Sequence, residues 1–253
     1  MDIKDLRLAV LIDADNVPSS HVKEMFEEIA KYGTPTFKRI YADWTKPHVS
    51  GWKNVLLENA ITPVQQYSYS TGKNSSDSAL IIDAMDILYT GKVDGFCIVS
   101  SDSDFTRLAT RLREAGMAVI GIGEKKTLTP FISACDKFIY MEILKGSSKD
   151  QSPEKSKKQV AKEKVNIDEP INKIDHKLIR ILTDSISDIA DETGWAFLGE
   201  LGSMLIKKMP DFDSRNYGFD KLLPLIKSLD TRFEIDERET GRKNIRHIYV
   251  KVK

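Results

Sequence analysis

Two short strings of this 253-residue sequence set aspartates in pairs: Leu11-Ile12-Asp13-Ala14-Asp15-Asn16 and Val99-Ser100-Ser101-Asp102-Ser103-Asp104-Phe105. Each follows directly on an apolar run. A third acid, Asp77, begins a helix-like stretch after the polar, flexible residues 70–76, which contain Lys73, and Asp83 lies six residues further on. Carboxylates gathered in one place repel one another unless a cation neutralises them. Oxygen donors without histidine or cysteine suit the hard ions Mg2+ or Mn2+. An ion held in this way lowers the pKa of a bound water and stabilises charge on a phosphoryl oxygen, which is the chemistry of phosphodiester hydrolysis. Lys73 adds a cation for a phosphate, and Ser100 stands at the strand end beside the second pair. Each acid also has an ordinary reading. Asp77 or Asp104 taken alone fits a helix N-cap, Asp83 fits either a metal-supporting or a helix-stabilising role, and Asp86 reads as a solvated helix residue. His21 and His48 have no partner at ligand spacing, so they stay outside the predicted site.

The elements that must position these acids can be read from the apolar pattern. Short apolar runs at 8–12, 37–41, 62–66, 96–100, 119–123 and 138–141 alternate with helix-like stretches at 22–31, 49–59, 77–88, 105–115 and 130–134. Gly33, Gly91 and Gly116 follow three of these stretches as candidate helix C-caps. Strands that are apolar throughout, alternating with helices, predict a parallel sheet covered on both faces, a Rossmann-like three-layer α/β sandwich. In such a sheet the carboxyl ends of the strands line the ligand crevice at the point where strand order reverses. If the first and fourth strands are central neighbours, the two acidic strings face one another.

Hydrophobic residues make up 41% of the chain and charged residues 30%, an ordinary balance for a globular protein and too apolar for wholesale disorder. No apolar run approaches the length of a bilayer span, and residues 1–5 lack the basic start of a secretion signal, so the sequence reads as cytoplasmic and without a membrane partner. Cys97 and Cys135 lack metal-ligand spacing and read as buried thiols. The formal net charge of +0 conceals a polarity: residues 1–144 hold 16 Lys/Arg against 19 Asp/Glu, whereas residues 145–164 hold seven against three. An acidic front half is unexpected in a nucleic-acid binder unless its carboxylates hold cations. The sequence therefore divides into a front domain over 1–145, a polar flexible linker over 146–170 and a second domain over 171–253. In that second domain amphipathic stretches near 174–190, 196–209 and 217–229 precede two strand-like runs at 233–236 and 245–250, the pattern of a winged helix-turn-helix.

The strings around Asp13, Asp77 with Asp83, and Asp102 with Asp104 resemble the motifs of NYN domains, the PIN-like ribonuclease group that includes LabA-type bacterial proteins. The likeness covers about residues 5–144. It implies a PIN-like α/β sandwich and RNA cleavage assisted by Mg2+ or Mn2+, with acids at Asp13, Asp77, Asp102 and Asp104 and a polar residue at Asn16. The strings 195–201 and 212–223 resemble the OST-HTH or LOTUS domain, a family associated with RNA and in some members with protein partners. Within it Arg215 and Lys221 flank a helix start, while Arg242, Lys243 and Arg246 decorate the wing; all five are candidate contacts for RNA, most simply single-stranded. Trp195 and Tyr217 are expected in the core.

Two other functions fit parts of the pattern. Asp13-Ala14-Asp15-Asn16-Val17 also fits the nucleophile and acid of a haloacid-dehalogenase-type phosphatase, although Lys73 precedes the Ser100 string where that family places its lysine after. A non-catalytic RNA-tethered adaptor, with an acidic pocket that binds a cation or nucleotide without turnover and a second domain that recruits RNA or protein, suits the acidic front half.

Overall fold

The computed structural model describes residues 6–15, 17–49, 51–67, 75–147, 170–239 and 246–253. Within them the front domain is built on six strands: β1 (Leu6–Asp13), β2 (Gly33–Ala42), β3 (Thr62–Gln65), β4 (Gly95–Val99), β5 (Ala118–Gly123) and β6 (Lys137–Tyr140). They lie in the order β3-β2-β1-β4-β5-β6 with every neighbouring pair parallel. Alternate residues of β1 enter two separate cores, because a central strand is covered on both faces. Leu8, Val10 and Ile12 pack with Val22, Met25 and Ile29 of α1 (Val22–Ile29) and with Trp52 of α2 (Trp52–Asn59). Ala9 and Leu11 pack on the other side with α3 (Ser75–Thr90), α4 (Thr106–Glu114) and α5 (Thr129–Ala134), through Leu80, Leu108, Leu112 and Phe131. This is the predicted three-layer sandwich, consistent with a PIN-like fold. Cys97 and Cys135 are free and buried within it.

Gly91 and Gly116 follow α3 and α4 with φ of 63° and 81°, the left-handed cap expected of them. Gly33 does something else. It opens β2 so close to β1 that an added Cβ would stand 2.3 Å from the Leu6 carbonyl oxygen. Strand approach, not a helix cap, requires glycine there.

The second domain comprises α6 (His176–Ile189), β7 (Ala196–Phe197), α7 (Leu198–Lys208), α8 (Leu222–Lys227), β8 (Phe233–Glu239) and β9 (Arg246–Val252), with an antiparallel sheet in the order β7-β9-β8. Leu182, Leu201, Leu205, Ile226 and Val250 form its core. Two expectations change. Residues 196 and 197, predicted as the start of a helix, instead pair with Val250 and Tyr249 of β9, and the helix begins at Leu198. Tyr217, predicted inside the third helix, ends a 3-10 turn over Ser214–Tyr217 that Gly218 closes at φ 83°.

The sequence predicted a second domain joined to the front one by a mobile linker; 148–169 lie outside the described residues, but the two domains are in direct contact. An edge strand offers unpaired backbone groups, and here the Phe138 N–H of edge strand β6 donates to the Pro210 carbonyl at 2.8 Å. On either side of it Lys137 Nζ donates to the Phe212 carbonyl at 2.6 Å and the Tyr140 hydroxyl to Asp211 Oδ2 at 2.7 Å. Arg215 then reaches back to α1, its two terminal nitrogens donating to the Glu28 carboxylate at 2.9 and 2.8 Å while Nε and Nη2 hold Asp213.

Candidate functional site

β1 and β4 are the central neighbours, paired in register up to Ile12 against Val99, so Asp13 and the loop after Val99 leave the sheet side by side. Strand order reverses between these two strands, and the acids line the crevice that such a reversal opens. Asp13 is almost fully buried, with Oδ2 accepting from Ser100 Oγ at 2.9 Å and Oδ1 from the Asp15 N–H at 3.2 Å. Ser100 Oγ in turn accepts from the Asp102 N–H at 3.0 Å. One serine hydroxyl therefore ties the first acid to the backbone of the second string. Asp102 Oδ1 takes the Asp104 N–H at 2.9 Å, which caps the 3-10 turn Ser103–Phe105. The N-cap that the sequence offered to Asp104 belongs to Asp102, and Asp77 lies inside the first turn of its helix.

Asp77 arrives from the other side, in the first turn of α3. The rotation of that helix is set by Asp83, whose carboxylate accepts from both the Arg39 guanidinium and the Tyr41 hydroxyl of β2. Asp83 thus ties α3 to β2. With α3 so placed, one carboxylate oxygen each of Asp77, Asp102 and Asp104 lie within 4.8 Å of one another. Asp13 does not join this triad, yet its charge is felt there. Burial pushes the Asp77 carboxyl up to about 6, and the negative charges of Asp13, Asp102, Asp104 and Asp15 add to the rise. Hard oxygen donors crowded in mutual repulsion fit Mg2+ or Mn2+ and offer nothing to a soft metal. Asn16 and Lys73 lie outside the described residues, and Asp86 is exposed on α3 as expected.

Several residues that shape the crevice were missed in the sequence. Ser101 Oγ accepts from the Glu124 N–H at 2.9 Å and so ties the acid loop to the end of β5. At Gly123 a Cβ would meet the Ser100 carbonyl at 2.7 Å, so only glycine lets β5 run this close to the loop. An apolar strand ending in glycine was the available signal, and it reads equally as an ordinary turn.

Three of the five expected RNA contacts, Arg215, Lys221 and Arg246, fall among the described residues. Arg215 is held between Glu28 and Asp213 at the domain boundary, and these carboxylates keep its guanidinium charged against its burial. Lys221 is exposed at the start of α8, Arg246 is exposed and pairs with Glu237 at 3.2 Å, and Arg242 and Lys243 lie outside the described residues. Trp195, expected in the core, lies outside the core cluster that Tyr217 does join.

Fold and crevice together define a PIN-like α/β domain with an acidic centre, followed by a small helical domain with a three-stranded sheet. The chain belongs to the NYN domain family, which it matches over residues 7–142, more than half its length; residues 169–245 match the OST-HTH/LOTUS domain. The family places the front domain in the PIN-like nuclease superfamily and gives the chain a nuclease-like, RNA-associated character, which leaves the phosphatase reading without support. No curated protein matches the chain. Among solved structures, a protein of unknown function from Vibrio parahaemolyticus is 20% identical, with 55% of this chain and 93% of that one covered and a TM-score of 0.46. An uncharacterized protein from Nitrosomonas europaea is 27% identical over 42% of this chain and 91% of that one, with a TM-score of 0.29. Among the described residues no helix is long and apolar enough to cross a membrane.

Proposed function

We propose that this protein is a ribonuclease dependent on Mg2+ or Mn2+, which hydrolyses phosphodiester bonds of RNA at the crevice between β1 and β4 while the OST-HTH domain holds the strand. The observation that carries the reading is the carboxylate triad of Asp77, Asp102 and Asp104, with oxygens within 4.8 Å of each other and the Asp77 carboxyl raised to about 6 by burial and by its neighbours. Asp77, Asp102 and Asp104 would hold the ion, with Asp13 completing the negative field behind them. The ion, when bound, lowers the pKa of a water and stabilises charge on the phosphoryl oxygen under attack. Asp13, fixed by Ser100, orients what the outer acids hold, and Asp15 at the rim adds charge that draws the cation in. The outer cations of the second domain, Lys221 and Arg246 with Arg242 and Lys243, would meet the phosphates that the acidic front domain repels.

Single-stranded RNA incubated with and without Mn2+ tests this, with Asp13→Asn as control. Cleavage only with Mn2+ and only by the unaltered chain is expected. RNA binding with no cleavage under any divalent ion would instead make the protein an adaptor.

A further inference from the structure

The sheet of the second domain has one face in the core and one face without a covering element among the described residues. Ala196, Phe233 and Val250 face inward with Ile235 and Val252. Because side chains alternate along a strand, the other face carries Phe197, Tyr249, His247, Arg238 and Lys251, and Trp195 precedes Phe197 by two residues. Register confirms the grouping: Phe197 pairs with Tyr249, Tyr249 with Asp236, and His247 with Arg238. The rings lie against one another, Phe197 being 5.8 Å from Tyr249 and 5.2 Å from His247 between centroids. Arg238 lies 4.1 Å over the Tyr249 ring and 5.6 Å over Trp195, and Lys251 Nζ lies 5.9 Å from Trp195. Trp195, Phe197 and Tyr249 all stand outside the core cluster. Trp195, Phe197 and Tyr249 thus form one contiguous, partly exposed aromatic patch on this sheet face.

We propose that this face is a base-stacking platform for single-stranded RNA, with Trp195, Phe197 and Tyr249 as its rings and Arg238 as a guanidinium plane between two of them. The proposal deepens the RNA-binding half of the proposed function and rests on it. Flat rings interleaved with a guanidinium on an open sheet are the surface on which unpaired bases stack. The platform is held in shape before any ligand arrives: Asp236 Oδ2 accepts from Arg238 Nε at 2.7 Å, Asp191 Oδ1 accepts from the Trp195 N–H, and Lys251 Nζ donates to the Thr193 carbonyl at 2.8 Å. Phe197 packs closely against Gly199, where an added Cβ would stand 2.7 Å from the ring. Beyond Phe197 the face continues into a groove of about 390 Å³ bordered by Gly199, Met204 and Lys207. Over residues 233–253 the sequence holds six Lys/Arg against four Asp/Glu, whereas the front half is net acidic. Glu234 and Asp236 share the face, opposite Lys251 and Tyr249, so the cations are largely balanced within it. Stacking, not phosphate contact, must then supply most of the affinity, and the platform's share of binding should depend little on salt.

The test uses the full chain and a fluorescent twelve-nucleotide oligouridine, with binding read by anisotropy in EDTA so that cleavage plays no part. Trp195→Leu with Tyr249→Leu keeps apolar side chains but removes two rings, and should weaken binding roughly tenfold or more while the salt slope stays as in the unaltered chain. Arg246→Gln should do the reverse, lowering the slope. An abasic strand of equal length and charge should bind the unaltered chain as weakly as the oligouridine binds the double variant, a comparison that holds even if the variant folds poorly. Equal affinity of abasic and normal strands, or undiminished affinity of a folded double variant, overturns the platform and leaves the ribonuclease reading standing. No binding of either strand by the unaltered chain overturns the RNA-binding reading and the platform with it.

Discussion

At the scale of single residues the crevice is marked by Asp77, whose carboxyl rises to about 6. The sign of its effect on stability follows from linkage. An aspartate whose pKa rises on folding favours the folded state below its unfolded value near 3.9, and that contribution is lost as pH rises to the folded value. The shift corresponds to about 3 kcal/mol between pH 4 and 7 in the metal-free protein. Melting temperature in EDTA should therefore fall over this interval, and Asp77→Asn should flatten the fall and stabilise the protein at pH 7. Parallel pH profiles of the two proteins would remove Asp77 from the electrostatic centre. Mn2+ at neutral pH should restore stability to the unaltered chain and do so far less in the variant, because an ion that binds only the folded state stabilises it by mass action.

At the scale of elements, what matters is how α3 is held. Asp83 takes hydrogen bonds from Arg39 and Tyr41 of β2, and Asp77 stands six residues earlier on the same helix. Asp83→Ala leaves the buried Tyr41 hydroxyl and the partly buried Arg39 guanidinium without their acceptor, at a cost of about 1–3 kcal/mol. It should also reduce maximal cleavage rate and Mn2+ affinity together, since Asp77 is no longer fixed over the strand ends. A lower melting temperature with metal affinity unchanged would make Asp83 a stability residue and nothing more. The strands and helices of this domain were legible because short apolar runs alternate regularly with helix-like stretches, and the acids because each pair follows a strand directly. Asp83 was ambiguous because its partners lie 42 and 44 positions away in sequence. β7 was invisible for a different reason: two residues, Ala196 and Phe197, show no period, and only pairing with β9 makes them a strand. That same pairing turned Trp195 and Phe197 outward, which a helical reading of 196–209 could not foresee.

At the scale of the whole molecule, the second domain is docked on the edge of the first. Arg215 shows why this was hidden: a charge near a helix start reads as a phosphate contact, and nothing local reveals that Glu28, 187 positions away, is its partner. Burial alone would raise the Glu28 carboxyl, but hydrogen bonds from Arg215 and Lys31 hold it below the usual range. Arg215→Ala would leave Glu28 and Asp213 without this partner, at a cost on the order of 3 kcal/mol. The unaltered chain should unfold in one calorimetric transition, and the variant in two. Two transitions already present in the unaltered chain would mean that the docking contributes little.

The measurement closest to the central claim is the single-turnover rate of RNA cleavage at saturating Mn2+ across Asp13→Asn, Asp77→Asn, Asp102→Asn, Asp104→Asn and Asp86→Asn, each shown to be folded. The four crevice variants should lose cleavage by at least two orders of magnitude, in the range typical of lost metal or acid–base function. Asp86→Asn, exposed on α3, should cleave like the unaltered chain. Equal rates in all five variants would contradict the assignment of the crevice as a nuclease centre.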